Sequence, residues 1–301
     1  MSDDIGVDFL RGIAMRAPNA IETASFYVEQ WGLRHLETRD GTVYFRGSSG
    51  EPFIYALRQD PVFGVDYVNF GMTNRERLER LHARFVAAGG RVLAPPGPLD
   101  TPGGGHGFTA LDPDGRRLRF VADVTPHADV EDVLARPRKV THVVLNTPDM
   151  DATQAWYENA LGFRVSDYSA NQMVFLRCAS DHHSIALVRA PYPSVNHVAF
   201  EMSTIDSFMR GIGRMKTKGQ ICAWGPGRHG PGNNPFAYFV SPSGFVIEFT
   251  AEVQQIDEAT HVAQVWPRDV PEKMDQWMTA GPPTPAMRTV MQGRPDPGFG
   301  S

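Results

Sequence analysis

Cysteine is nearly absent from this chain, as are long apolar runs and any surplus of positive charge. Only Cys178 and Cys222 occur in 301 residues. Two thiols so placed make neither a disulfide framework nor a zinc motif, and they read as reduced cysteines of a cytoplasmic protein. No segment approaches the roughly 20 apolar residues needed to span a bilayer, so no membrane partner is expected. The start, Met1-Ser2-Asp3-Asp4, is acidic where an export signal would be basic, and no apolar run follows it. A net charge of −5, with no basic stripe interleaved with aromatics, removes nucleic acid from the expected partners. What remains is an ordinary globular composition, 42% hydrophobic and 21% charged. It is long enough for two domains that each bury a core.

The chain repeats itself. Val195-Asn196-His197-Val198-Ala199-Phe200-Glu201-Met202 lines up with Val65-Asp66-Tyr67-Val68-Asn69-Phe70-Gly71-Met72, an offset of 130 residues. At the same offset Ala155-Trp156-Tyr157 falls on Ser25-Phe26-Tyr27, and Leu161-Gly162-Phe163-Arg164 on Trp31-Gly32-Leu33-Arg34. Near the end of each copy the offset slips by one, so that Ser241-Pro242-Ser243-Gly244 meets Asp112-Pro113-Asp114-Gly115.

Each copy reads as two β-α-β-β-β units. In the second, Thr141–Asn146 is β-rich, and Met150–Ala160 is an amphipathic helix capped by Asp149 or Asp151 and stopped at Gly162. Two alternating strands follow, 172–177 and 184–188. The next unit opens at His197, carries a helix over 205–218 and ends in strands at 235–240 and 245–252. The first copy opens at 12–15 and carries a helix from Ile21 to Gln30. The expected fold is therefore α+β: four β-α-β-β-β modules in two tandem domains, each a cupped mixed or antiparallel sheet with outer helices. We expect domain limits of 1–123 and 140–253, a linker over 124–139 with a short helix at 130–135, and a C-terminal extension over 254–301. That extension should drape over the core as far as Met287 and be mobile beyond it.

Only one copy carries metal-ligand chemistry. Where the second has His142, His197 and Glu248, the first has Gly12, Tyr67 and Arg119. A single histidine on a strand is more often a hydrogen-bonded core residue than a ligand. Two at equivalent positions of successive units are a different matter. With them comes Glu248, inside the apolar run Phe245-Val246-Ile247-Glu248-Phe249, where an unpaired carboxylate is costly to bury. Two imidazoles and a carboxylate compose an open-faced divalent metal site.

At this point the residues resemble a known family, the type I extradiol ring-cleaving dioxygenases of the vicinal oxygen chelate superfamily. The likeness covers the chain as architecture. It is most specific in Gly225-Pro226-Gly227-Arg228-His229-Gly230, followed by Asn233, Tyr238, Pro242-Ser243-Gly244 and Glu248. The resemblance implies that His142, His197 and Glu248 hold Fe(II), or less often Mn(II), leaving one face open for an aromatic diol and dioxygen. It also implies that His229 and Tyr238 accept or orient a diol proton. His183 would stabilise reduced dioxygen and then act as a general acid. His182 and His183 point to opposite faces of a strand, so one of them is idle, and spacing favours His183 as the inward one.

The family's enzymes for homoprotocatechuate carry an asparagine two residues after the first metal histidine and use arginines to grip a carboxylate. Here those places hold Val144 and Trp224, which implies a neutral, apolar ring substituent or a trihydroxylated ring. Phe175, Val144, Trp224, Asn233, Phe236 and Phe245 are the candidate pocket residues. The implied activity is extradiol (meta) cleavage in aromatic catabolism by a homo-oligomer. The alternatives are a glyoxalase- or epimerase-like metalloenzyme of the same superfamily, or a non-catalytic sequestering protein.

Overall fold

The computed structural model describes residues 6–299, built around two sheets. The first half runs β1 (Phe9–Ala17), α1 (Ala20–Phe26), β2 (Arg34–Arg39), β3 (Thr42–Arg46) and β4 (Tyr55–Gln59). It continues with β5 (Gly64–Gly71), α2 (Arg75–Ala87), β6 (Val92–Pro98), β7 (His106–Leu111) and β8 (Arg117–Ala122). The second half repeats this order as β9 (Pro137–Thr147), α3 (Met150–Leu161), β10 (Arg164–Ser169), β11 (Met173–Arg177) and β12 (Ile185–Arg189). Then come β13 (Ser194–Met202), α4 (Ile205–Thr217), β14 (Trp224–Arg228), β15 (Pro235–Val240) and β16 (Val246–Thr250). The extension adds β17 (Gln264–Trp266), α5 (Pro271–Met274) and α6 (Pro285–Gln292).

The strand orders are β2-β3-β4-β1-β5-β8-β7-β6 and β14-β15-β16-β13-β9-β12-β11-β10-β17. In each half the two units meet at one antiparallel pair, β1 with β5 and β9 with β13. Within a unit the opening strand pairs parallel with the closing one, as β9 with β12 and β13 with β16.

Alternation along these strands divides the side chains between two faces. Val143, Leu145, Val198, Phe200, Ile247 and Phe249 enter a core under the helices that runs through both halves. Their neighbours line the opposite, cupped face, where Val144, Phe175 and Ala186 cluster in the second half and Ala14, Tyr44, Phe53, Ala56 and Tyr67 in the first. Side-chain caps start four of the helices: Asn74 accepts from the Arg77 N–H, Asp149 from Ala152, Thr204 from Ser207 and Thr284 from Met287. Gly162, left-handed at φ 72°, ends α3. Among the described residues, no helix is long and apolar enough to cross a membrane.

Three sequence expectations are corrected here. The first helix stops at Phe26 and widens into a π turn, Tyr27–Trp31, which brings Trp31 flat against Phe249 of the other half at 3.7 Å between ring centroids. The segment 130–135 is not helical. Val130 and Leu134 are exposed there, so a helix would have no apolar surface to bury, and the loop is instead tied down by Arg34 to Asp129 and Ser48 to Asp132. Finally, the chain beyond Met287 is anchored through residue 299, after which it lies outside the described residues. Asp296 is buried and accepts from Arg16 at 2.7 Å and from the Val65 N–H at 2.7 Å, while Phe299 lies under the Arg16 and Arg117 guanidiniums. A buried carboxylate with a guanidinium and an amide to accept from is a firm tether.

Candidate metal centre

Three neighbouring strands of the second sheet bring His142, His197 and Glu248 together. His142 on β9 and Glu248 on β16 both sit opposite Ala199 of β13, and His197 lies two residues along, opposite Val144. Because Val143, Val198, Ile247 and Phe249 turn to the helix side, these three turn into the cup. One donor atom from each lies within 4.8 Å of the others, and all three residues are buried. Nε2 of His142 is 3.3 Å and Nε2 of His197 is 3.2 Å from the same Glu248 oxygen, Oε2.

The protonation states suit a cation. Burial raises the Glu248 carboxyl, so only a donor or a cation facing it keeps it ionised. Burial lowers His197 against the pull of Glu248, so the ring is neutral at physiological pH. Its tautomer follows from its partners. The Met291 and Gln292 carbonyls can only accept, at 2.9 and 3.0 Å, so the atom of Asn146 facing them is its NH2. The Asn146 oxygen therefore accepts from Asn196 at 3.0 Å, which leaves the Asn196 oxygen facing His197 Nδ1 at 2.8 Å. That nitrogen must carry the proton, and Nε2 has only a lone pair. A lone pair then confronts a carboxylate oxygen at 3.2 Å, and the second oxygen, Oε1, is buried without a partner. A divalent cation satisfies both. The donor set of two imidazoles and one carboxylate thus fits a divalent cation such as Fe(II) or Mn(II) and leaves coordination positions open.

His183 stands beside this group, buried, its ring 4.1 Å from that of His142. Burial lowers it well below the usual histidine value, helped by the surrounding imidazoles. The expectation for His182 is overturned. Residues 181–184 form an irregular turn, so strand alternation does not govern them, and His182 is not idle. It is fully buried, with Nδ1 3.0 Å from His183 Nδ1 and Nε2 3.0 Å from Asp167 Oδ2.

On the other wall, His229 Nε2 and the Tyr238 hydroxyl are 3.0 Å apart. Burial lowers His229 to about 4 despite the attraction of Glu248, and it raises Tyr238 well above the usual phenol value. The pair is therefore a neutral imidazole and an intact phenol. Tyr238 is paired with Glu248 across the strands, and its ring meets His197 edge-on at 5.0 Å.

Of the candidate pocket residues, four lie beside the candidate group. Phe175 lies 5.0 Å from the His183 ring and clusters with Val144. Trp224 stacks on Tyr238 at 4.8 Å, and Phe236 stacks on His229 at 4.0 Å. Two do not. Phe245 turns to the helix side and stacks on Phe63 of the first half at 4.1 Å. Asn233 is exposed, accepting from Arg228 and Gln276, while its neighbour Asn234 is the buried one. The sequence reasoning missed Asp167, Asn146 and Asn196. All three act through other side chains, and only the proximity of Asn196 to His197 could have flagged any of them.

Comparison with known proteins agrees with this picture. Residues 139–249 match the family model of the Glyoxalase/Bleomycin resistance protein/Dioxygenase superfamily. Among solved structures, the Mn(II)-bound glyoxalase from Novosphingobium aromaticivorans is 36% identical over 94% of each chain, with a TM-score of 0.88. Metapyrocatechase 2 of Cupriavidus necator is 32% identical over 50% of this chain, a match that spans 46% of that protein. Biphenyl-2,3-diol 1,2-dioxygenase of Paraburkholderia xenovorans is 26% identical over 78% of this chain and 84% of its own length.

Proposed function

The chain belongs to the glyoxalase/bleomycin resistance protein/dioxygenase superfamily, and we propose that within it this protein cleaves the ring of a substituted catechol or trihydroxylated arene next to its diol, using dioxygen. One observation carries the reading. The open-faced group of His142, His197 and Glu248 is flanked on one side by His183 and on the other by the His229–Tyr238 pair. Such flanks give a diol and dioxygen separate acid–base partners. The relatives named metapyrocatechase and biphenyl-2,3-diol dioxygenase support the same chemistry.

His142, His197 and Glu248 would hold Fe(II), with Mn(II) the alternative. The ion would supply adjacent open positions and a path for electron density from diol to dioxygen. The protein supplies the rest. The Tyr238 hydroxyl and neutral His229 Nε2 form a continuous hydrogen-bonded pair that takes up one diol proton and orients the remaining oxygen. His183, on the opposite side of the centre, serves the oxygen side as acid–base group. Phe175, Val144, Trp224 and Phe236 wall the cup with apolar surface, favouring a neutral ring substituent and excluding water. One diol and one O2 give one open-chain hydroxymuconic semialdehyde that retains both oxygen atoms.

The glyoxalase likeness at 36% identity supports a second reading, isomerisation of a hemithioacetal or a similar carbonyl substrate. Such enzymes typically use an additional glutamate ligand, whereas the cluster here has three members among the described residues. One experiment separates the readings. The protein is loaded anaerobically with Fe(II) or Mn(II), then offered catechols and methylglyoxal–thiol adducts. Oxygen uptake matching a yellow ring-fission product, from a catechol alone, is expected. Turnover of the adduct with no catechol consumed would replace this proposal by the second reading.

A further inference from the structure

The C-terminal extension reaches the acid–base wall of the site through a single unbroken line of hydrogen bonds. In β17, which pairs parallel with β10, the Gln264 N–H donates to Asp167 Oδ1 at 2.7 Å, and the Trp266 indole N–H donates to Asp167 Oδ2 at 2.7 Å. Asp167 Oδ2 also faces His182 Nε2 at 3.0 Å, and His182 Nδ1 faces His183 Nδ1 at 3.0 Å. The donor count fixes each proton. With two N–H groups and an imidazole as partners, Asp167 is held below the usual carboxylate range against the effect of burial, so it only accepts. His182 must therefore donate from Nε2. Burial keeps His182 neutral, so its Nδ1 is a bare acceptor. His183 must donate from Nδ1, which leaves the lone pair on Nε2. Packing locks the rings as well: Gly232 lies over both, so that a Cβ there would sit 3.3 Å from His182 Nδ1 and 3.4 Å from His183 Cε1.

We propose that β17, Asp167 and His182 form a positioning device that holds His183 in one orientation and one tautomer, with its proton on Nδ1 and a proton-accepting Nε2. The consequence for the function proposed above, on which this rests, is that His183 starts the reaction as a proton acceptor. It can act as an acid only after taking a proton. The extension is then part of the working site through hydrogen bonds as well as through its packing against Phe236 and Tyr238, and Asp167 and His182 are positioning residues rather than catalytic ones. The Asn146–Asn196–His197 line from the end of α6 shows that the extension fixes a second imidazole in the same manner.

The test reads tautomers directly. Protein labelled with 15N at histidine and loaded with diamagnetic Zn(II) gives long-range proton–nitrogen correlations for each ring. Expected are a proton on Nε2 for His182 and on Nδ1 for His183. In Asp167→Asn the amide presents an N–H at the old carboxylate position. Both rings should lose their single tautomer, and kcat should fall about 10- to 100-fold with metal content and KM for the diol nearly unchanged. Trp266→Phe keeps the ring packing but removes one donor, and should give a smaller fall in kcat. A wild-type His183 protonated at Nε2 overturns the proposal. So does an Asp167→Asn protein with unaltered tautomers and kcat. If Asp167→Asn does not fold, the wild-type spectrum and Trp266→Phe decide. If no catechol is turned over, the catalytic reading fails, while the spectrum still decides the tautomers.

Discussion

The two halves share a backbone plan and differ in what fills the cup. Strand pairing places Arg119 opposite Asn69 and Thr109, just as Glu248 lies opposite Ala199 and Tyr238. Tyr67 faces Ala14 as His197 faces Val144. In the second half, two imidazoles and a carboxylate converge on a point that suits a cation. In the first, the protein supplies the cation itself: the Arg119 guanidinium lies 3.8 Å above the Tyr67 ring, walled by Tyr44 and Phe53. Gly12 closes the third position, since any Cβ there would run into the Ile54 carbonyl, whereas β9 has room for the His142 side chain at the matching place. The lesson is that the fold provides a concave address, and three side chains decide whether it holds an ion.

The sharpest way to break this comparison is to remove the charges one half at a time. His142→Ala, His197→Ala and Glu248→Ala should each abolish metal retention, while Tyr67→Ala and Arg119→Ala should leave it stoichiometric. Elemental analysis of folded protein decides, and full metal content in Glu248→Ala would remove the triad. Rebuilding the site in the first half should also fail. The triple change Gly12→His, Tyr67→His and Arg119→Glu is expected to add no second metal equivalent and to lower Tm, because residue 12 cannot carry a side chain without moving β4. A second equivalent bound would show that composition alone separates the halves.

The next effect is catalytic. His183→Phe keeps all three candidate ligands and should retain metal and diol binding, while kcat falls on the order of a hundred- to ten-thousand-fold. The matching residue in the first half, by strand pairing, is Phe53, which offers no such chemistry. Stopped-flow turnover with saturating diol measures this, and near-normal kcat would take His183 out of the reaction. Smallest is the paired test of Tyr238→Phe against Thr109→Ala. The first loses the hydroxyl bonded to His229 and should cut kcat/KM about fivefold, the roughly 1 kcal/mol typical of one hydrogen bond. The second should leave it unchanged.

Much of this was legible from residue order. The repeat could be read because both halves must satisfy the same alternation between core and cup, and the candidate triad because its two histidines stand at equivalent strand positions and its glutamate interrupts an apolar run. Phe245 was placed wrongly although the signal was there: residues 245, 247 and 249 share a face, and Glu248 lies on the other. Asn233 and Asn234 could not be told apart, since a loop has no period. His182 was misjudged by applying strand alternation to a turn. Asp167 carried no mark at all. Its importance comes from a backbone N–H and an indole about a hundred residues away, and such pairing leaves no trace in local sequence. The hold on the last residues depends likewise on Asp296 meeting Arg16, a contact that composition does not announce.

The stack of Trp31 on Phe249 has one more consequence. Phe249 is the neighbour of Glu248 on β16, and the same indole also meets Phe200 and Phe239 edge-on. Phe85 against Trp156 and Phe63 against Phe245 add further joints between the halves. Neither half can shed these rings without exposing the other's interior to water, so the duplicated units have lost the independence their ancestry suggests. Heat should melt them together in one cooperative transition, with calorimetric and van't Hoff enthalpies in agreement. The half without ligands would then persist because it is the other half's missing interior.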